Sequence, residues 1–303
     1  MYGKLPGFES VKTGAGYNGA MRTETDRQIA VAALLKTGEQ RLAGVVDQPR
    51  REAGLLLRLA AGISHARLIA YPEHMVEIDA VERFYAMLER RSRHEPLAHI
   101  SGEREFWSLP LRVTADTLIP RPETELLVAT ALDRIRMDDA RVLDLGTGSG
   151  AIALALASER PGWRITATDR SPQALAVASD NARRLKLTVD YQAGDWFDAV
   201  RGRHFDLIVS NPPYIANDDE HLSHGDVRFE PRSALVAGQD GLDDVRRILQ
   251  DAPAHLSPGG YLMLEHGCDQ GDAVRRLLQD QGFSQVDTLQ DLAGHDRITL
   301  GQA

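Results

Sequence analysis

A chain of 303 residues is long for one domain and comfortable for two. Its composition, 43% apolar and 26% charged, excludes a disordered chain, and no apolar run approaches the roughly 18 residues that a membrane helix needs. The net charge of −9 is uneven: residues 1–136 carry 19 Lys+Arg against 18 Asp+Glu and the remainder 16 against 26, which counts against the basic footprint of a duplex-DNA enzyme, although acidic surfaces also simply keep proteins dispersed.

Residues 1–21 are rich in glycine and lack periodicity, so they read as a disordered extension, with Met21 an alternative start. Residues 22–95 read as a helical domain. Leu34 and Leu35 mark one helix, Leu55, Leu56 and Leu59 a second, and Val81, Phe84, Tyr85 and Leu88 one face of a third. Asp79 with Glu82 resembles a capping pair that starts it. Residues 96–120 suit a hairpin, with Phe106-Trp107 followed by Leu109 to Val113 and Pro110 confining it to an edge. Pro122 then fits the first position of a helix that carries Leu127, Ala131 and Ile135.

From Arg141 onward strands and helices alternate. Strands are expected at Val142–Leu145, Ile165–Thr168, Val189–Gln192, Phe205–Ser210 and Tyr261–Glu265. Helices are expected at Ile152–Ser158, Ala174–Leu185, Asp243–Leu256 and Gln270–Gln281. Two further strands, near Val286–Leu289 and Arg297–Leu300, follow one another directly and point to one antiparallel strand near the edge. The fold class is α/β, a mostly parallel sheet covered on both faces over residues 121–303.

Ligands of open α/β sheets bind beyond the carboxyl ends of the strands. Gly146-Thr147-Gly148-Ser149-Gly150 lies at such an end, where glycines allow a tight turn and a helix N-terminus offers free N–H groups. Asp169 ends the next strand and can accept two ribose hydroxyls. Trp196, after Asp195, ends the third and can cover a purine ring. Each has a plainer reading alone: a ligand-free turn, a helix cap before Ser171-Pro172, a core aromatic. The turn matches neither the dinucleotide fingerprint nor a P-loop. Asn211-Pro212-Pro213-Tyr214 ends the fourth strand and could be no more than a rigid turn.

Taken together, Asp144-Leu-Gly-Thr-Gly-Ser-Gly150 and Asn211-Pro-Pro-Tyr214 resemble the seven-stranded class I methyltransferases. Arg104-Glu-Phe-Trp107, Leu118-Ile-Pro-Arg-Pro-Glu-Thr-Glu125, Gly225-Asp-Val-Arg-Phe-Glu-Pro231 and Leu264-Glu-His-Gly267 resemble the release factor glutamine N5-methyltransferases, the PrmC/HemK family, over roughly residues 25–301. The resemblance implies a Rossmann-like catalytic domain that binds S-adenosyl-L-methionine, an N-terminal domain that recognises substrate, and methylation of the glutamine in the Gly-Gly-Gln loop of peptide chain release factors. It implies cofactor contacts at Gly146, Thr147, Gly148, Ser149, Gly150, Asp169, Trp196 and Asn211. Asn211, Pro212, Pro213 and Tyr214 would hold the glutamine, with Asn211, Pro212 and Tyr214 catalytic.

The chemistry of such a site follows from the acceptor. An amide nitrogen shares its lone pair with its carbonyl and is a poor nucleophile. The Asn211 side-chain carbonyl and the Pro212 backbone carbonyl can each take one N–H and favour a pyramidal nitrogen. Tyr214 can pack on the flat amide, and the prolines fix φ. Glutamine methylation of a ribosomal protein and N6-adenine methylation of nucleic acid share this logic and remain alternatives, as does a non-catalytic module that keeps the fold. Arg121, Glu123 and Glu125 are candidates for the cofactor entrance, with a helix start the plainer explanation. Glu265 and His266 read as structural. His204, His221, His224, His266 and His295 show no metal-ligand spacing, so no metal is expected. Cys268 is the only cysteine and no secretion signal opens the chain, so a cytoplasmic monomer without membrane or stable nucleic-acid partners is expected.

Overall fold

The computed structural model describes residues 28–223 and 225–303. The extension expected over residues 1–21 and the first residues, 22–27, of the expected helical domain lie outside the described residues, as does His224.

The first core is helical. Strand β1 (Ile29–Ala30) pairs with β2 (Met75–Val76) around α1 (Val31–Leu42), α2 (Pro49–Ala61) and α3 (His65–Ala70), and α4 (Ile78–Ser92) and α5 (Leu97–Ser101) follow. Helix α2 starts on Pro49 and stops at Gly62, whose φ of 65° suits glycine and whose N–H donates to Arg58 O. Leu34, Leu56, Leu57, Val81, Phe84 and Leu88 close this core. Leu55, Leu56 and Leu59, which mark this helix in the sequence, all lie on it, but only Leu56 of the three is buried, together with Leu57, while Leu59 is exposed. A run of three leucines leaves the phase of the apolar face ambiguous. Glu77, not Asp79, occupies the N-cap of α4 and makes no side-chain cap bond, so the expected capping pair does not form.

The hairpin is β3 (Glu103–Phe106) and β4 (Leu109–Arg112), paired from Glu103↔Arg112 to Phe106↔Leu109. Its two turn residues, Trp107 and Ser108, both have positive φ, a conformation that usually asks for Asn or Gly. Side-chain bonds offset that cost. Glu125 accepts from Trp107 N at 2.8 Å, and Glu159 accepts from Trp107 Nε1 at 2.8 Å.

A short 3-10 turn at Pro122–Thr124 leads into α6 (Glu125–Arg134). Then come β5 (Arg141–Leu145), α7 (Ala151–Glu159), β6 (Arg164–Asp169), α8 (Pro172–Leu185), β7 (Asp190–Ala193), β8 (Phe205–Ser210), α9 (Asp243–His255), β9 (Leu256–Glu265), α10 (Gly271–Asp280), β10 (Ser284–Gln290) and β11 (Asp296–Gln302). The seven strands run in the order β10-β11-β9-β8-β5-β6-β7. Strands β5 to β9 are parallel, and β11 is antiparallel to both β9 and β10. The antiparallel strand sits near the edge, one place inside it, because β11 returns between β9 and β10. Separate apolar cores cover the two faces, one around Leu127, Ile152 and Leu154 and the other around Ile208, Val245 and Ile248. Both faces are thus dry, as the continuous apolar strands require.

The helical module and the sheet domain meet through polar contacts. Arg91, buried at the end of α4, donates to Glu52 at 2.5 Å and to Asp226 at 2.8 Å, and Arg228 donates to Arg93 O at 2.6 Å. Among the described residues no helix is long and apolar enough to cross a membrane.

Candidate active site

A cavity of about 230 Å³ opens over the carboxyl ends of β5, β6 and β8. Its wall includes Gly146 to Ser149, Asp169, Trp196, Asn211 and Pro213. Gly150, Pro212 and Tyr214, also singled out from the sequence, lie outside that lining.

The glycine turn is built around a buried carboxyl. Asp144, at 1% exposure inside β5, accepts from Thr147 Oγ1 at 2.6 Å and from Ala153 N at 3.2 Å. Burial raises its pKa to about 7, against the lowering effect of these two bonds. Gly146, Gly148 and Gly150 all have positive φ. A Cβ on Gly150 would lie 3.0 to 3.2 Å from Leu154, Tyr191 and Ala178, so this glycine lets α7 pack closely instead of facing the cavity.

Asp169 ties the turn to the next helix. Its Oδ2 accepts from Gly148 N at 2.9 Å and its Oδ1 from Ser171 N at 2.8 Å. Ser171, not Asp169, caps α8, accepting from Ala174 N at 3.2 Å. Trp196 lines the cavity, with φ at 48°. A side chain on Gly146 would come within 3.4 Å of the Trp196 ring. The Trp196 ring and the glycine turn therefore border the same space. The Trp196 Nε1 is buried without a hydrogen-bond partner.

Asn211 follows β8, a strand buried at every residue. Its Nδ2 donates to Thr124 Oγ1 at 3.2 Å, while its Oδ1 is buried with no partner. A buried carbonyl oxygen without a donor is costly and marks a place where a donor is wanted. Pro212 is buried. Beyond it, the Tyr214 carbonyl accepts from Gln270 Nε2 at 3.0 Å. Gly241, at φ 73°, packs so tightly behind that a Cβ would sit 2.2 Å from the Tyr214 oxygen. Burial, followed by the nearby Glu265 charge, raises the Tyr214 phenol to about 12, so the hydroxyl stays neutral.

Several residues lie here that the sequence did not single out. Thr124 lines the cavity and touches Asn211; its signal was hidden because a threonine at a helix start reads as a cap. Glu230 is buried, accepts from Ile119 N at 2.9 Å and pairs with Arg121. It thereby holds the Leu118–Arg121 segment against the cavity. Of the three entrance candidates, Arg121 lines the cavity, Glu125 serves the hairpin turn, and Glu123 is outside the lining. Glu265 is fully buried beside the site, and His266 is engaged by Thr299 Oγ1 at 2.8 Å and Gly267 O at 2.9 Å. Among the described residues no group of three or more His, Cys, Asp or Glu could hold a metal ion.

Two families match the chain: "PrmC N-terminal domain" over residues 33–102 and "Methyltransferase small domain" over residues 122–227. A release factor glutamine methyltransferase of Pseudomonas aeruginosa is 57% identical over 275 residues, covering 90% of this chain and 98% of the relative. The protein of the same description in Escherichia coli is 47% identical over 257 residues, covering 84% and 93%. Among solved structures, the hMettl16 catalytic domain bound to a MAT2A 3'UTR hairpin aligns with a TM-score of 0.52 at 18% identity, covering 76% of this chain and 84% of that one. At that identity the likeness concerns the fold alone. The chain belongs to the release factor glutamine methyltransferase family, whose fold and S-adenosyl-L-methionine dependence it shares.

Proposed function

We propose that the protein transfers a methyl group from S-adenosyl-L-methionine to the side-chain amide nitrogen of the glutamine in the Gly-Gly-Gln motif of peptide chain release factors, in the cytoplasm. The observation that carries this reading is the Asn211 side chain, whose amide nitrogen is engaged by Thr124 and whose buried oxygen has no donor beside the cavity. The residues fit the cofactor: the Gly146–Ser149 turn, the Asp169 carboxylate and the Trp196 ring line one space. When bound, the cofactor supplies a methyl already activated on a sulfonium.

The chain's own task is to prepare the acceptor. Asn211 Oδ1 takes one N–H of the glutamine amide and the Pro212 carbonyl takes the other. Holding both hydrogens weakens conjugation with the glutamine carbonyl and fixes the nitrogen for attack. Tyr214, neutral near physiological pH, offers its ring to the amide plane. No group here needs to remove a proton before transfer, because the nitrogen becomes acidic only once methylated and then releases one of its two protons to water. Orientation contributes about 7–11 kcal/mol in well-arranged intramolecular cases, and it is the main term in this proposal.

The helical module is proposed to read the body of the protein substrate. Arg91 and Arg228 join that module to the segment following Tyr214, so a partner resting on the helices is held in register with Asn211. Removal of residues 1–95 is expected to weaken methylation of intact release factor more than that of a short Gly-Gly-Gln peptide; equal losses would refute this role.

The test of the activity is incubation with methyl-labelled cofactor and, separately, release factor, ribosomal protein and duplex DNA, followed by mass mapping. Label on the Gly-Gly-Gln amide nitrogen is expected. Label on a ribosomal-protein glutamine or on adenine N6 would overturn the assignment.

A further inference from the structure

Residues 118–121 enter the transfer site without a ladder of their own. No strand or helix includes them, and Pro120 and the following Pro122 have no N–H to donate. Their end nevertheless sets Thr124. The Arg121 carbonyl accepts from Thr124 N at 3.2 Å, and Thr124 Oγ1 accepts from Asn211 Nδ2 at 3.2 Å. Bonds of that length lie at the long end of the N–H···O range, so a shift of about 0.5 Å is enough to lose them.

Glu230 supplies the missing hold. Its side chain is 0% exposed, and both oxygens grip the same stretch. Oε2 accepts from Ile119 N at 2.9 Å, and Oε1 pairs with Arg121 Nη2. Two bonds to one short stretch fix its rotation as well as its place. On the other side, Glu125 opens α6 and accepts from Trp107 N. Thr124 is thus held between two anchors, α6 after it and Glu230 before it. Glu230 also follows Asp226, which accepts from Arg91 of α4, by four residues. One short stretch therefore touches the helical module at one end and the wall of the transfer site at the other.

We propose that Glu230 is a positioning residue for methyl transfer: by gripping Ile119 N and the Arg121 guanidinium it fixes the turn that carries Thr124, and so holds the Asn211 amide with its nitrogen on Thr124 and its oxygen free for the acceptor. This rests on the amide-clamp reading of Asn211. Glu230 is not part of the cavity wall, whereas Arg121, Thr124 and Asn211 are, so it acts through them and not on the substrate. Its loss should therefore appear in turnover and not in the affinity for release factor.

The experiment measures kcat and KM on release factor and on a Gly-Gly-Gln peptide at saturating cofactor. The variants are Glu230→Gln, Arg121→Met, Arg121→Lys, Thr124→Val, Asn211→Ala, and Glu230→Gln combined with Thr124→Val. Glutamine at 230 keeps an oxygen for Ile119 N but turns its NH₂ toward the Arg121 guanidinium, donor against donor. Glu230→Gln is expected to lower kcat about tenfold or more on both substrates, with KM for release factor within about threefold of wild type. Arg121→Met, at a side chain 33% exposed, should show the same loss and reads the link even where Glu230→Gln fails to fold. Arg121→Lys, which restores a cation, should recover part of it. Because Glu230 acts through Thr124, adding Glu230→Gln to Thr124→Val should cost no more than about a further twofold.

If Asn211→Ala is crippled while Glu230→Gln and Arg121→Met turn over within about twofold of wild type, the positioning role is wrong and the clamp stands. Losses that multiply in the combined variant, or that fall on KM for release factor instead of kcat, overturn it as well. If Asn211→Ala itself is near wild type, the clamp fails and the positioning role with it.

Discussion

Replacing Asp169 by Asn changes one atom and tests the cofactor site closely. Both carboxylate oxygens already accept a backbone N–H, from Gly148 at 2.9 Å and from Ser171 at 2.8 Å. A carboxylate offers about four lone-pair sites, so two remain for ribose hydroxyls at the cavity wall. Asparagine has only one oxygen. Its NH₂ must face either the Gly148 or the Ser171 N–H, donor against donor, and one ribose hydroxyl loses a charged acceptor. A hydrogen bond to a charged group contributes roughly 1.5–3 kcal/mol, so cofactor Kd should rise by about 10- to 150-fold. Titration calorimetry with S-adenosyl-L-methionine and with S-adenosylhomocysteine should show similar losses, because both carry the ribose. A Kd within about threefold of wild type in a folded variant would refute the ribose role. A loss confined to the methylated form would place Asp169 beside the sulfonium instead.

Three further outcomes follow from the geometry. Gly241→Ala drives a Cβ to 2.2 Å from the Tyr214 oxygen at a positive φ, so the denaturation midpoint should fall by an amount equivalent to about 2–3 kcal/mol and turnover with it; a variant of unchanged stability would contradict the tight packing behind Asn-Pro-Pro-Tyr. Asp206 is buried, which alone would raise its pKa, but bonds from Arg141 and Ser257 bring it down to about 2. A depressed carboxyl stabilises above its unfolded value and loses that contribution as pH falls toward about 2, so Asp206→Asn should cost about 1–2 kcal/mol at pH 7 in urea melts and almost nothing at the acid end. Trp196→Ala should weaken cofactor binding about 5- to 150-fold if its ring covers the purine, with fluorescence titration of the analogue as the check; unchanged affinity would return Trp196 to the role of a core aromatic.

The positions of the buried strands were open to reading because β5, β6, β8 and β9 are largely apolar and each ends at a polar or glycine residue. The four groups at those ends could be named before their geometry was known. Legibility failed where partners are distant in sequence. Thr124 lies 87 positions before Asn211, and nothing local in it marks it as that residue's neighbour. The same holds for Glu230, which supports a segment more than 100 residues earlier. The Trp107-Ser108 turn also hid itself, since its positive φ values are held by Glu125 and Glu159 rather than by glycine. The inner face of α2 was not legible, because adjacent leucines satisfy two phases and only the packing of Ala53 and Ala60 beside Leu56 and Leu57 chooses between them.

A structure of the ternary complex with S-adenosylhomocysteine and a Gly-Gly-Gln peptide tests the central claim most directly. The account requires the glutamine nitrogen within hydrogen-bond distance of both Asn211 Oδ1 and the Pro212 carbonyl. A glutamine side chain bound elsewhere, or an Asn211 amide turned with its nitrogen toward the peptide, would contradict it.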